Sequence, residues 1–379
     1  MSDTDGEIAL DQLPGCLHPR ETPVLFGQSQ AQAQFLEAWK NDHLHHAWLL
    51  RGAPGVGKAT LAYRIARAII SDGPGGTGGL FGADTEPPET LLPPPDCSVA
   101  QRIRAGSEPR LSVLRLTVNP KTGRPRRQIL VEDVRSVKSF LQLSAADGGW
   151  RVVIVDPVDA MNLSAATALL KILEEPPDRV LFLLTSQSPG GLLPTIRSRC
   201  RFLNLDALGR EDLRAALEQQ DLEIEPSDEG PLAELASGSA GRSMQLMAGD
   251  GLTLYAHLVE VIADGRVDRP ALLRLAARCS GKTGTDTFRM VSELLQALLG
   301  RLARAAATGQ VPASASPLEG RLFSNVSRSP AQARLWADAA PRITSTLRQT
   351  LAVNLDPAQA IIDIFLELDS TLGKVRHAA

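Results

Sequence analysis

The sequence has little of what marks a strongly basic nucleic-acid binder. Its 40 Lys and Arg residues stand against 43 Asp and Glu residues, and aromatic residues make up only 4% of the chain. The first balance disfavours a basic DNA-binding surface over the whole chain, and the second disfavours recognition by base stacking. Apolar residues at 43% and charged residues at 22% are ordinary for a globular protein, so intrinsic disorder is disfavoured as well.

Cysteine pairs, a secretory leader and long apolar runs are also missing. The four cysteines (Cys16, Cys97, Cys200 and Cys279) include no CxxC pair, so we predict reduced thiols and no zinc site. The acidic first fifteen residues contain no Lys or Arg, unlike a secretory signal. No apolar run approaches the roughly 18 residues that cross a bilayer. The sequence predicts a cytoplasmic protein that has no contact with membranes.

Alternating strand and helix patterns in the first half predict an α/β fold with a parallel sheet. The strand candidates are residues 46–52, 112–117, 151–156, 179–185 and 200–205, and the intervening helix candidates are 61–70, 131–143 and 164–173. Residues 71–98 hold six glycines and six prolines, which predicts a loop or insertion. Helical patterns alone follow residue 209.

These patterns divide the chain into three predicted domains. They are an α/β domain over 1–206, a small helical lid over 207–250 and a helical bundle over 251–379. Asp356 and Pro357 predict an N-cap and a first-turn proline for the last helix. Two apolar stripes predict the bundle core: Val291, Leu294, Leu295, Leu298 and Leu302, and then Ile361, Ile364, Phe365 and Leu368.

The segment GAPGVGKAT, residues 52–60, is the most informative motif. In a GxxxxGK pattern, the glycines (here Gly52, Gly55 and Gly57, with Pro54 between them) let backbone N–H groups surround phosphate oxygens. Lys58 would then pair with the outer phosphates at the start of a helix. Because the segment lies between a predicted strand and a predicted helix, we expect a nucleotide phosphate site.

Two parts of a hydrolytic site are absent from this motif and its partner strand. The residue after the lysine is Ala59 instead of Ser or Thr, whose hydroxyl would bind magnesium, and Thr60 is rotated by about 100° around the helix. Asp156 ends a strand and suits the magnesium shell, although a strand-end cap is the alternative. Pro157 follows it, and proline cannot orient an attacking water. We therefore expect weak ATP binding without turnover.

The segments LLKILEEPP (169–177) and SRC (198–200) carry a specific resemblance. Together they resemble the clamp-loader branch of the AAA+ ATPases, over residues 43–246. That resemblance implies a P-loop AAA+ domain followed by a lid and a helical collar. Two bacterial types compete: gamma/tau motor subunits, with an intact phosphate loop, an acid pair and a zinc module, and the delta-prime subunit of DNA polymerase III. Ala59, Pro157 and the insertion with its one cysteine point to delta-prime.

The resemblance also implies roles for individual residues. Arg199 matches the arginine that reaches a neighbour's γ-phosphate, with an ordinary surface salt bridge as the alternative. Cys200 is expected to be buried and inert. Arg242 matches a second nucleotide sensor, with a purely structural arginine as the alternative, and Ser186 and Gln187 loosely match the first sensor.

The implied partners are the gamma/tau and delta subunits, and through their complex the sliding clamp and primer-template DNA. The basic tract 121–127 is expected to be a solvated loop instead of a DNA phosphate contact. Two other functions stay open at this point. One is a self-sufficient ATPase of the motor type, and the other is a degenerate nucleotide-binding module with an unrelated partner.

Overall fold

Five parallel strands form the sheet of the first half in the computed structural model of the chain. The structure describes residues 10–41, 43–71, 90–91, 97–119, 122–142, 149–281, 284–326, 329–353 and 355–377, without the side chains of 351–353. The strands are β1 (Ala47–Arg51), β2 (Leu111–Arg115), β3 (Arg151–Asp156), β4 (Val180–Ser186) and β5 (Arg201–Asn204). Their order across the sheet is β2-β3-β4-β1-β5, and every pairing is parallel. The predicted parallel α/β sheet is confirmed.

Both faces of the sheet are covered, which explains the continuous apolar strands. Six helices accompany the sheet: α1 (Ser29–Lys40), α2 (Lys58–Ser71), α3 (Ser98–Arg104), α4 (Val131–Gln142), α5 (Leu163–Glu174) and α6 (Pro194–Arg197). In β1, Trp48 and Leu50 pack in one apolar cluster with α1, α2 and α3. Ala47 and Leu49 pack in the other with α4 and α5. This alternation with a period of two places one helical layer on each side.

The strand register fixes where the functional segments meet. Arg51 at the end of β1 lies opposite Ser186 of β4 and Asn204 of β5, and Val155 of β3 lies opposite Leu184. The carboxyl ends of these strands therefore share one edge of the sheet. In open parallel sheets, ligands bind at this edge.

Helices alone follow β5 among the described residues. They are α7 (Arg210–Glu218), α8 (Glu229–Ala236), α9 (Ala240–Ala248), α10 (Gly251–Ile262), α11 (Arg269–Arg278), α12 (Gly284–Thr308), α13 (Glu319–Val326), α14 (Pro330–Val353) and α15 (Pro357–His377). All nine residues of the two predicted apolar stripes are buried, so their assignment to a helical core is confirmed. The Asp356 carboxylate accepts a hydrogen bond of 3.0 Å from the Ala358 N–H at the start of α15, which confirms the predicted cap.

The chain divides into two compact units. The described residues up to Leu222 form the first together with Gly238–Gly241, and Glu223–Ser237 with the residues from Arg242 onward form the second. This division falls inside the predicted lid at 207–250. The three-domain division stays a prediction.

Most of the predicted strands and helices are present, but some details differ from the prediction. The predicted strands and helices of the first half exist with ends that differ by at most three residues, whereas α1 and α3 lay in segments for which we predicted no element. The basic tract was expected to be a solvated loop, and its described residues, 122–127, are exposed or half-buried. Within it, Pro125 forms an isolated antiparallel bridge with Val118. Lys121, helix position 143 and most of the 71–98 insertion lie outside the described residues. Within the described helices, none has the length and apolarity that a bilayer crossing requires.

Candidate functional site

The phosphate loop connects β1 to α2 at the carboxyl edge of the sheet. Two of its glycines are required by close packing. A Cβ added to Gly52 would lie 2.5 Å from the carbonyl oxygen of Leu205, and one added to Gly57 (φ +101°) would lie 2.7 Å from Leu25. Larger residues would displace the loop from the end of β5 or from the N-terminal segment. The glycine spacing therefore shapes a loop that can present its backbone N–H groups to phosphate.

Lys58 folds back over this loop. Its ammonium donates hydrogen bonds to the carbonyl oxygens of Gly52 (2.9 Å) and Ala53 (2.7 Å), and the residue is only 7% exposed. Burial lowers the pKa of Lys58, while the negative charges of Asp156 and Asp159 act in the opposite direction. The lysine thus lies where it can exchange carbonyl oxygens for phosphate oxygens.

The next two positions, Ala59 and Thr60, are those at which a magnesium ligand would be expected. Ala59 and Thr60 both belong to the first turn of α2, one helical step apart. Ala59 has no side-chain oxygen, and the Thr60 hydroxyl forms no hydrogen bond among the described residues. The loop fits phosphate, but this turn offers no hydroxyl next to the lysine for a magnesium shell.

Asp156 lies at the end of β3 and is hydrogen-bonded within the protein. The hydroxyl of Thr185 on β4 donates to one of its carboxylate oxygens. Burial raises the pKa of Asp156, while this hydrogen bond and the charge of Lys58 act to lower it. The carboxylate and the lysine therefore interact electrostatically, and their role as two halves of a nucleotide site stays a prediction.

Asp159 forms hydrogen bonds with Ser186 and Gln187, the two residues that loosely match the first sensor. One carboxylate oxygen of Asp159 accepts a hydrogen bond of 2.9 Å from the Ser186 hydroxyl, and the other accepts one of 2.7 Å from the Gln187 N–H. The carboxylate is thus directed at the end of β4 by two bonds. Both carboxylate oxygens of Asp159 therefore have partners within the protein.

Residues Gly238–Gly241 belong to the first unit although they lie far along the sequence, and they form hydrogen bonds with the phosphate loop. The Ser239 hydroxyl donates to the carbonyl oxygen of Pro54 (2.7 Å), and the Gly241 N–H donates to that of Gly55 (2.9 Å). A Cβ on Gly241 would lie 2.8 Å from the Gly55 Cα. The sequence analysis did not indicate that this turn contacts the phosphate loop.

Gln28 is another residue that the sequence did not single out. Its amide nitrogen donates to the carbonyl oxygens of Asp206 (2.8 Å) and Val56 (3.2 Å), and its amide oxygen accepts from the Asp206 N–H (3.0 Å). One side chain therefore ties the N-terminal segment to the loop and to the end of β5. No local sequence signal marks this bridge.

Arg242 belongs to the second unit, where its described contacts are with protein. Its guanidinium forms an ion pair of 3.0 Å with Glu293 and donates to the carbonyl oxygen of Leu235. The sensor role of Arg242 stays a prediction.

Arg199 and the phosphate loop lie at opposite ends of the parallel strands. It precedes β5, whose last residue Asn204 pairs with Arg51 just before that loop. Since each strand residue rises about 3.3 Å, the length of β5 alone separates the two segments by roughly 13 Å. Arg199 therefore lies near the amino end of β5, whereas its own phosphate loop lies at the carboxyl end of β1. Next to it, Cys200 is 9% exposed and burial raises the pKa of its thiol to about 12, which confirms a buried, inert cysteine.

The histidines just before β1 contact each other and a backbone carbonyl. His45 stacks on His46, whose ring lies 3.1 Å from the carbonyl oxygen of Leu173. Over the residues that the structure describes, no group of three His, Cys, Asp or Glu side chains has the geometry of a metal site.

Comparison with known proteins finds similarity to subunits of DNA polymerase III. Residues 27–209 match the family model described as DNA polymerase III, delta subunit. The chain is 37% identical to DNA polymerase III subunit delta' of Pseudomonas aeruginosa over 155 residues, which are 41% of each chain. It is 28% identical to subunit tau of Escherichia coli, over 77% of this chain and 45% of that one. The chain thus spans less than half the length of either relative.

A solved structure is similar at a lower level. It is a DNA polymerase III gamma subunit-related protein from Thermotoga maritima, with 19% identity, coverage of 89% of this chain and 99% of that chain, and a TM-score of 0.39. That score is too low to support the fold, which follows instead from the strand order and the phosphate loop.

Proposed function

We propose that this chain, which belongs to the clamp-loader family of DNA polymerase III subunits, is its delta-prime type: a subunit that does not hydrolyse ATP and that lends Arg199 to a neighbour. The observation that carries the proposal is the place of Arg199, at the sheet edge opposite its own phosphate loop. An arginine at this edge can stabilise a transferring phosphoryl group only on another subunit.

The site at the carboxyl edge supports the other half of the proposal. Gly52, Gly57 and Lys58 provide a phosphate cradle, so the subunit binds ATP weakly. Because Ala59 removes a magnesium ligand and Pro157 removes the acid that orients water, the bound nucleotide is not turned over. Nucleotide in this subunit then has a structural role.

The partners follow from the same proposal. The subunit assembles with gamma/tau and delta subunits through the helices of its second unit, and the complex loads the sliding clamp onto primer-template DNA in the cytoplasm. Apolar faces of a helical bundle can serve both as a core and as a collar between subunits. In this assembly the chain does not hydrolyse ATP and supplies Arg199 to a neighbouring subunit.

A gamma/tau-type ATPase is the second candidate. It is favoured by the similarity to tau over 77% of the chain and by the retained pair of Lys58 and Asp156. On this alternative, purified chain would hydrolyse ATP by itself.

One experiment separates the two candidates. A reconstituted complex with Arg199→Ala should assemble but lose about 10³-fold of the hydrolysis rate at the neighbouring site. The isolated wild-type chain should show no hydrolysis above background. Wild-type turnover by the Arg199→Ala complex would refute the arginine donor, and turnover by the isolated chain that Lys58→Ala abolishes would favour the motor type.

A further inference from the structure

Glu174 and Arg199 join the two signature segments of the chain by an ion pair. Glu174 is the last residue of α5, and its carboxylate lies 2.9 Å from Nη2 of Arg199. The other terminal nitrogen, Nη1, donates to the carbonyl oxygen of Thr195 (3.1 Å) and to the Ser198 hydroxyl (3.4 Å). We propose that Glu174 is a positioning residue that orients Arg199 toward the neighbouring subunit's nucleotide, an inference that rests on the proposed function.

The backbone on both sides of this pair is anchored. Leu173 precedes Glu174, and Ile196 and Cys200 flank Arg199, and all three are buried in the same apolar cluster under the sheet. The two charged side chains therefore start from fixed points. What remains to be ordered is the long arginine side chain, which has many rotamers of similar energy.

The contacts of Arg199 hold its guanidinium without using all of it. A guanidinium has five N–H donors, and the contacts with Glu174, Thr195 and Ser198 engage only Nη1 and Nη2. Its Nε forms no hydrogen bond among the described residues, and the side chain is 36% exposed. Donors on the free side can therefore bind an anion while Glu174 and Thr195 fix the other side.

The position of the acid is unfavourable for its own helix. The C-terminus of a helix carries partial negative charge, so a carboxylate in its last turn is repelled, and a cation beside it is attracted. Arg199 compensates for Glu174 at this terminus. Glu175, the next residue, is also exposed and acidic, but it forms no ion pair within the described part of the chain. It is a matched control.

The expected effect is small and depends on salt. Both members of the pair are partly exposed, at 36% and 43%. An exposed ion pair of this kind shifts a conformational equilibrium by about two- to fivefold, far less than the roughly 10³-fold effect of losing the arginine. Because added salt screens exposed charges, the effect should fade as ionic strength rises.

The test uses the reconstituted complex with its other motor sites inactivated. Steady-state hydrolysis at the remaining site is measured for wild type, Glu174→Gln, Glu175→Gln, Arg199→Ala and the Glu174→Gln/Arg199→Ala double variant. We expect Glu174→Gln to lower kcat about two- to fivefold without changing KM, Glu175→Gln to match wild type, and the difference to shrink at high salt. In the Arg199→Ala background, Glu174→Gln should have no further effect.

Two results would overturn the inference while leaving the proposed function intact. One is a Glu174→Gln complex that is as active as Glu175→Gln while Arg199→Ala is slow. The other is an undiminished effect of Glu174→Gln when Arg199 is absent. If Arg199→Ala is itself fully active, the proposed function and this inference both fail.

A measurement on the isolated chain reports the ion pair directly. The ¹⁵N NMR signal of the Arg199 guanidinium should show restricted rotation in wild type and faster rotation in Glu174→Gln, with Glu175→Gln unchanged. Equal rotation in all three chains would show that Glu174 does not orient the arginine.

Discussion

The hydroxyl of Ser239 donates a hydrogen bond of 2.7 Å to the carbonyl oxygen of Pro54, across 185 positions of sequence. The adjoining Gly241 N–H binds Gly55 in the same way. The shape of the phosphate loop is therefore held by a distant turn of the chain as well as by its own glycines.

This contact predicts that Gly241→Ala weakens nucleotide binding. The added Cβ would meet the Gly55 backbone at 2.8 Å, so the loop must shift. We expect a loss of 5- to 30-fold in affinity, the equivalent of about 1–2 kcal/mol, and faster amide hydrogen exchange in residues 53–57. Gly320→Ala is the control, because a Cβ there has open space around it. Identical exchange in the two variants would contradict the prediction.

Nucleotide binding should depend little on magnesium. Titration with ATP, with and without magnesium, should give similar affinities for wild type, because Ala59 has no hydroxyl. Ala59→Thr should make binding magnesium-dependent, whereas Thr60→Ala should change nothing since its side chain points about 100° away. Strong magnesium dependence in wild type would show that another group replaces the missing ligand.

A buried polar network should dominate the stability of the second unit. Glu319 is fully buried and accepts hydrogen bonds from Tyr255 (2.6 Å) and Arg301 (2.9 Å). Arg301 also donates a hydrogen bond to Glu234. Breaking a buried pair by removing one partner costs about 3–5 kcal/mol. We expect Glu319→Gln to lower the free energy of unfolding by about 3 kcal/mol, near the low end of that range, because Glu234 remains.

The control for that measurement is an exposed ion pair in the same unit. Arg321 pairs with Asp264 at 2.7 Å, with side chains 64% and 46% exposed. Urea titration measures the free energy of unfolding of both variants. Arg321→Ala should lower it by less than about 1 kcal/mol. Equal losses in the two variants would mean that burial of the network contributes nothing.

The pH dependence of stability should reflect Asp11. Its carboxylate lies beside Arg115 and 3.1 Å from His18. Burial acts to raise the pKa of Asp11, but the His18 hydrogen bond and the Arg115 charge outweigh it, and the pKa is lowered. A lowered folded-state pKa stabilises the fold above the unfolded pKa, near 3.9, and this contribution is lost as the pH falls through the folded value.

Asp11→Asn should therefore destabilise the first unit at neutral pH by about 1.5–3 kcal/mol, the usual contribution of hydrogen bonds to a charged group. Urea unfolding between pH 7 and pH 3 should show the difference from wild type closing below about pH 4. A difference that stays constant to pH 3 would assign the effect to packing instead of charge.

Local patterns determined much of this protein from the sequence alone. The five strands and the helices α2, α4 and α5 follow from apolar periodicity, and the phosphate loop follows from the spacing of Gly52, Gly57 and Lys58. Ala59 and Pro157 predicted which chemistry the site lacks, because each side chain acts at its own position. The segments around Glu174 and Arg199 indicated the clamp-loader family, and both signals are short and contiguous.

The tertiary structure decided which distant residues meet. Nothing in the sequence pairs Glu174 with Arg199, Ser239 with Pro54, or Asp11 with Arg115, since periodicity encodes which face of an element is buried and not what covers it. The placement of Arg199 away from its own phosphate loop likewise depends on β5 pairing in parallel with β1. Hydrophobic burial is non-directional, so the sequence pattern specifies the elements, whereas strand pairing and side-chain packing select one arrangement of them.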